Sequence, residues 1–282
     1  ASPSVPLDRP GPALSVPQDL LDASLSCHGD LAEPELQPVL LNPATGVTVS
    51  ENYSWNYERA FARQGRPWCT VDVPQHTLGD IQVAGEYIVN AIRTMRSRTT
   101  RDIGIIGHSQ GGMSMRWALR FWPDTRTMVD DVIGMAGSNH GTTALPVCRV
   151  GVTSCAPAVW QQQADAQFIA ALNSGAETFA GISYTQIFTR TDEVVVPPMS
   201  SGLSTGAGEI TNVATQQVCP LEINEHLTVG TTSPTAYALA MDALDHRGPA
   251  QPSRVPRATC LRLLQPGVSI LNVGMYLKLL SA

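Results

Sequence analysis

The run Gly107-His108-Ser109-Gln110-Gly111 sets a serine between two glycines, the GxSxG spacing that presents a hydroxyl as nucleophile for acyl transfer. A serine hydroxyl is a weak nucleophile near neutral pH. It needs a histidine to take its proton and a carboxylate to orient that histidine. On the scaffold that uses such an elbow, the chain order is serine, then Asp or Glu, then histidine. The histidines after Ser109 are His140, His226 and His246. His140 precedes the acid candidates, so its order is wrong. His246 lies in Asp245-His246-Arg247-Gly248-Pro249, an expected helix end, where capping is the ordinary role. His226 closes the loop-like stretch Cys219 to Glu225 and is the favoured base. His108 adjoins Ser109, and adjacent side chains on a sharp turn point apart. The favoured acid is Asp192, just past the strand-like run Tyr184 to Phe188, with Glu193 as its rival. The bland alternatives are a glycine-rich turn without chemistry and a solvated acidic pair at 192–193.

The elbow works only between a buried strand and a helix, because the serine must sit on a tight, strained turn at the carboxyl end of a sheet. Ile103-Gly104-Ile105-Ile106 predicts that strand, and Met113, Met115, Trp117, Ala118 and Phe121 predict the helix, stopped near Pro123. Upstream, Pro38-Val39-Leu40-Leu41 predicts a strand that ends in the turn-rich Asn42-Pro43-Ala44-Thr45-Gly46. Residues 52–63 predict a helix and Cys69 to Val73 a strand. Ile81, Ala84, Ile88, Ala91, Ile92 and Met95 fall on one helical face. Val132 to Ala136 and Ile182 to Phe188 predict further strands, and a helix starts near Ser233-Pro234. The alternation predicts an α/β fold, a mainly parallel sheet with helices on both faces. Residues 1–19 read as a Pro- and Ser-rich arm, draped on the domain or mobile, and 20–282 as one catalytic domain. Within it, about 143–173 forms a small cap whose apolar residues either shape an acyl site or simply pack.

Charged residues make up 15% of the 282 positions, below the usual share of about 25%. A net charge of -6 argues against nucleic acid and anionic membranes as partners, though not against neutral lipid. No run of about 20 apolar residues predicts a transmembrane helix. The Pro-rich opening reads as the first stretch of a mature protein after signal cleavage. Six cysteines form an even set that can pair in fifteen ways. With the low charge, this favours an oxidising, extracellular setting over six buried thiols in a cytosolic enzyme. No spacing suggests zinc or another metal, and the proposed chemistry needs no cofactor.

With these segments in place, the chain resembles the Candida antarctica lipase B family, an α/β-hydrolase family. Leu40-Leu41-Asn42-Pro43-Ala44-Thr45-Gly46 resembles its oxyanion loop and Ser109-Gln110-Gly111-Gly112 its elbow. Ala156-Pro157-Ala158-Val159-Trp160-Gln161-Gln162 is similar to a stretch of its cap. Thr191-Asp192-Glu193-Val194-Val195 is similar to the segment with its acid, and Val218-Cys219 through His226 to the one with its base. The matches run in order over roughly residues 20–260. The resemblance implies a catalytic set of Ser109, Asp192 and His226, and an oxyanion hole from the N–H groups of Thr45 and Gln110 plus the Thr45 hydroxyl. It implies disulfides Cys27–Cys69 and Cys219–Cys260, which leave Cys148 to pair with Cys155.

Two departures stand out. His108 occupies the place of the family's tryptophan, so that family's stereochemical preference does not transfer. The chain also ends soon after Cys260, with Leu271 to Leu280 expected to supply a shorter helix and a more open site. The resemblance implies a secreted, monomeric serine hydrolase for a lipid or other ester, at an oil–water interface, with triacylglycerol lipase as the leading expectation. Short-chain carboxylesterase, phospholipase and polyester hydrolase stay open. The reading from another class is a non-catalytic lipid-binding module, which the complete set of three side chains argues against.

Overall fold

The structure, a computed structural model, describes residues 4–144, Cys148, Gly151 and 154–280. Its strands are β1 (Leu25–His28), β2 (Val39–Asn42), β3 (Trp68–Val71), β4 (Ile103–His108), β5 (Val129–Met135), β6 (Ser183–Phe188) and β7 (Glu209–Ala214). Its helices are α1 (Gln18–Ala23), α2 (Val49–Tyr53), α3 (Tyr57–Gln64), α4 (Ile81–Arg98), α5 (Gln110–Phe121) and α6 (Pro157–Gln161). They continue with α7 (Gln167–Leu172), α8 (Thr215–Val218), α9 (His226–Thr231), α10 (Pro234–Asp245) and α11 (Val273–Leu280).

The strands form one sheet in the order β1-β3-β2-β4-β5-β6-β7. All pairings are parallel except β1 with β3, which is antiparallel. Strand pleating sends successive side chains to opposite faces. Leu40, Ile105 and Val132 therefore join α4, α5 and α7 in one core, with Ile88, Met95, Met115 and Phe168. Leu41, Ile106 and Ile133 join α2, α3 and α10 in the other, with Tyr53, Phe61 and Leu239. This is the α/β-hydrolase arrangement, with the chemistry expected at the carboxyl ends of the parallel strands.

The anticipated helix over 52–63 is two helices. Asn56 has the non-helical angles φ -137 and ψ -95, and its side chain accepts from Tyr57 N–H to start α3. Residues 5–15 lie along α4 and α5. Arg120 and Trp122 donate to the carbonyls of Val5 and Pro12, at 2.6 and 2.9 Å. Glu86 accepts from the Ser15 hydroxyl at 2.7 Å. All six cysteines pair, as Cys27–Cys69, Cys148–Cys155 and Cys219–Cys260. The apolar cap positions Leu145, Pro146, Val147, Val150 and Val152 lie outside the described residues.

At the amino ends of the strands, away from Ser109, a cavity of about 460 Å³ is lined by Asp130, Asp131, Glu209 and His246 among others. Burial first, and Asp130 second, push the Asp131 carboxyl up to about 8 from 3.8. Between those values the folded chain holds a proton that the unfolded chain has lost. The associated stability is complete below about pH 4 and declines as pH rises to about 8. Asp131→Asn stays neutral throughout, so it should match the wild type at pH 4. At pH 8 to 9 it should melt higher by at least about 4 °C, the shift that one to two kcal/mol gives a chain of this size. Thermal melts across that pH range check this; equal melting points at pH 9 would refute it.

Candidate active site

β4 ends at His108 and α5 begins at Gln110, which leaves Ser109 alone at the turn with φ 55 and ψ -120. A side chain with a Cβ pays for such positive φ in strain. The flanking glycines make the turn possible by close approach. A Cβ on Gly107 would sit 2.1 Å from the Gly111 carbonyl oxygen, and one on Gly111 would sit 2.5 Å from that of Asn42. The Asn42 side chain then donates to Gly111 O at 2.8 Å, and Tyr53 OH donates to Asn42 O at 2.7 Å. The loop that follows β2 is thus fastened to the first turn of α5.

His226 Nε2 lies 2.9 Å from Ser109 Oγ, and His226 Nδ1 lies 2.9 Å from Asp192 Oδ2. A carboxylate can only accept, so Nδ1 carries the proton and Nε2 is left to accept from the serine hydroxyl. Asp192 Oδ1 accepts from the N–H groups of Val194 and Val195, both at 2.8 Å, which fixes the carboxylate plane. The Asp192 side chain is fully buried and that of His226 nearly so. The rival acid, Glu193, faces the His226 backbone N–H at 3.4 Å. The arrangement can move a proton from Ser109 to His226 while Asp192 faces the developing charge.

His226 is not in a loop, as its sequence suggested. It is the first residue of α9, and the Glu225 side chain starts that helix by accepting from Leu227 and Thr228 N–H. The remaining histidines have other work. His140 donates through Nδ1 to Ser200 O and through Nε2 to Glu177, both at 2.6 Å. The Glu177 bond chiefly raises the His140 ring above its ordinary value. Burial works to raise the Glu177 carboxyl, but bonds from His140 and Ser204 outweigh it and hold that group at about 2. His246 follows α10 and donates to Asp242 O at 2.9 Å.

Thr45 and Gln110 are brought together beside Ser109. Gln110 opens α5, so its N–H has no carbonyl one turn back, and Thr45 N–H has no acceptor among the described hydrogen bonds. The Thr45 hydroxyl donates to Gln110 Oε1 and accepts from Gln162 Nε2, both at 2.9 Å. Gln162 Oε1 in turn accepts from the Ser138 hydroxyl at 2.8 Å. Sequence reasoning missed Ser138 and Gln162 as functional neighbours. The one signal that pointed toward them was the cap resemblance over Ala156 to Gln162, which ends on one of the pair. α11 closes this side: Met275 and Tyr276 pack with Leu227 on Ala44, Val47 and Trp55.

Residues 86–236 match the family described as Lipase (class 2). The chain is 32% identical over 238 residues to Lipase B of Pseudozyma antarctica, which covers 83% of this chain and 69% of that protein. The crystal structure of Aspergillus fumigatus lipase B superposes with a TM-score of 0.84 at 30% identity, over 95% of this chain and 68% of that one. A Bacillus licheniformis lipase in its propeptide form, 15% identical, shares the fold with a TM-score of 0.57 over 80% of this chain and 54% of that one.

Proposed function

We propose, given that the chain belongs to the class 2 lipase family and is a carboxylic ester hydrolase, that it is a secreted triacylglycerol lipase acting through an acyl-enzyme on Ser109. The observation that carries this reading is the unbroken hydrogen-bond line Asp192–His226–Ser109 at the end of β4. Its disulfides and low surface charge support secretion.

In this reading His226 takes the Ser109 proton as Oγ attacks the ester carbonyl. The N–H groups of Thr45 and Gln110 meet the oxyanion. Each such donor is worth roughly 3 to 4 kcal/mol in the transition state. His226 then passes its proton to the leaving alcohol. Water, deprotonated by His226, attacks the acyl-enzyme and releases the acid and Ser109. The Thr45 hydroxyl would join the hole if the Gln110 amide turned over. The Gln110 Nε2, buried without a hydrogen-bond partner among the described residues, would then donate to Thr45 Oγ1 and free the hydroxyl hydrogen.

The test is hydrolysis of p-nitrophenyl esters from acetate to palmitate beside an emulsified triglyceride, with fluorophosphonate labelling to locate the nucleophile. Turnover of palmitate and of the emulsion, with label on Ser109, is the expected result. Turnover of short soluble esters alone would make the protein an esterase on a lipase scaffold. Label elsewhere would overturn the mechanism.

A further inference from the structure

His108 is only 1% exposed, although it adjoins the nucleophile and its sequence suggested a side chain turned away. Its ring lies against α9, 5.4 Å between centroids from that of His226. The fit is close enough that a Cβ on Gly230 would meet the His108 ring at 2.4 Å. His108 Nε2 is 2.8 Å from the main-chain oxygen of His226. A carbonyl oxygen can only accept, so Nε2 carries a hydrogen and donates it.

The other nitrogen is fixed by equal logic. Asn52 Oδ1 accepts from Ala44 N–H at 2.9 Å, which settles the orientation of the Asn52 amide. Its Nδ2 therefore faces His108 Nδ1, at 3.3 Å, and an amide nitrogen can only donate. Nδ1 must then be the acceptor, and the ring is a neutral Nε2–H tautomer with both nitrogens engaged. The ionisable groups around it are His226, Asp192 and the buried phenol of Tyr53. Burial, with His226 adding to it, holds the ring down to about 4, in keeping with the hydrogen-bond logic.

We propose that His108 is a positioning residue, a neutral imidazole that ties the main chain of His226 to the oxyanion loop through Asn52. The line runs Ala44 N–H, Asn52, His108 and His226 O, and Thr45 is the residue after Ala44. Because His108 also precedes Ser109, nucleophile, base and oxyanion donors share one rigid support. A hydrocarbon ring could fill the space but could not hold the His226 carbonyl. The ring stays uncharged, so it adds no repulsion to the imidazolium that forms on His226.

This inference rests on Ser109 and His226 being nucleophile and base, so Ser109→Ala is measured in parallel. If Ser109→Ala stays active, the site reading itself fails. With that control inactive, His108→Phe should lower kcat by about 10- to 100-fold with KM within about threefold, the scale of a misplacement near 1 Å. His108→Gln, which can donate to the carbonyl again, should recover at least about threefold of that loss. Asn52→Ala leaves the ring in place and should still lower kcat about tenfold, and it decides the matter if His108→Phe does not fold. A His108→Phe protein with wild-type kcat, a loss confined to KM, a His108→Gln protein no better than His108→Phe, or an unimpaired Asn52→Ala protein would each overturn the proposal.

Discussion

Replacing Ser109 by alanine should lower kcat on p-nitrophenyl esters by about a million-fold, the loss seen when a serine hydrolase keeps its site but loses its nucleophile. Alanine removes one oxygen and leaves the rest standing. In the proposed mechanism the N–H groups of Thr45 and Gln110 would remain in place to meet an oxyanion. A residual rate about a thousandfold or more above water is therefore expected from binding and the hole alone. The positive φ of 55 at this turn makes alanine no worse than serine for the backbone, so the variant should fold. Active-site-titrated rates, with melting curves alongside, measure both effects. A loss below a hundredfold would mean that another group carries the acyl transfer.

Asp192→Asn should cost about 10⁴-fold in kcat while leaving the structure intact, as expected when a histidine is held in the wrong tautomer. The local bonds give the reason. Asp192 Oδ1 accepts from Val194 and Val195 N–H, so an asparagine would place its oxygen there and its amide nitrogen where Oδ2 faces His226. That nitrogen can only donate, so the shorter of the two contacts to Nδ1, at 2.9 Å against 3.1 Å to Oδ1, favours an Nδ1 that accepts and moves the ring proton to Nε2. His226 then points a hydrogen at Ser109 and has no lone pair for the hydroxyl proton. Among the described hydrogen bonds Glu193 faces the backbone N–H of His226 and not its ring, so Glu193→Gln should change kcat by less than about fivefold. Steady-state rates for the two variants side by side separate the rival acids. Equal losses would reject the assignment of Asp192.

The elbow was legible because its constraint is steric and local. Gly107 and Gly111 nearly touch other backbone, and only glycine permits that, so the pattern survives in the sequence. The parallel sheet was legible because strands buried on both faces read as unbroken apolar runs, as in Ile103 to Ile106. Strand β1 gave no such signal, since at the sheet edge its four residues alternate between half-buried and exposed. α9 was unreadable for a different reason. Its sequence, His226-Leu227-Thr228-Val229-Gly230-Thr231, is rich in poor helix formers, and a cap from Glu225 overrides that preference. Asn52, Ser138 and Gln162 were unreadable because a buried amide or hydroxyl with a partner far along the chain looks the same in sequence as a solvated one. Asn52 and His108 are 56 positions apart, and Gln162 and Thr45 are 117 apart.

The antiparallel edge strand bears on how the protein can fail. β1 is the short strand at one margin of the sheet, and Cys27 stands directly opposite Cys69 in its pairing with β3. The bond between them makes the margin a permanent part of the sheet. Without it, a four-residue strand is a weak cover for β3, and a bared margin is a template for strand exchange between molecules. Synthesis under reducing conditions would therefore threaten solubility before chemistry, because Ser109 stands at the start of α5, Asp192 in the turn after β6 and His226 on α9, none of them on β1 or β3. Inclusion bodies, with a competent site in the fraction that stays dispersed, are the signature to expect from a host that cannot oxidise the Cys27–Cys69 pair.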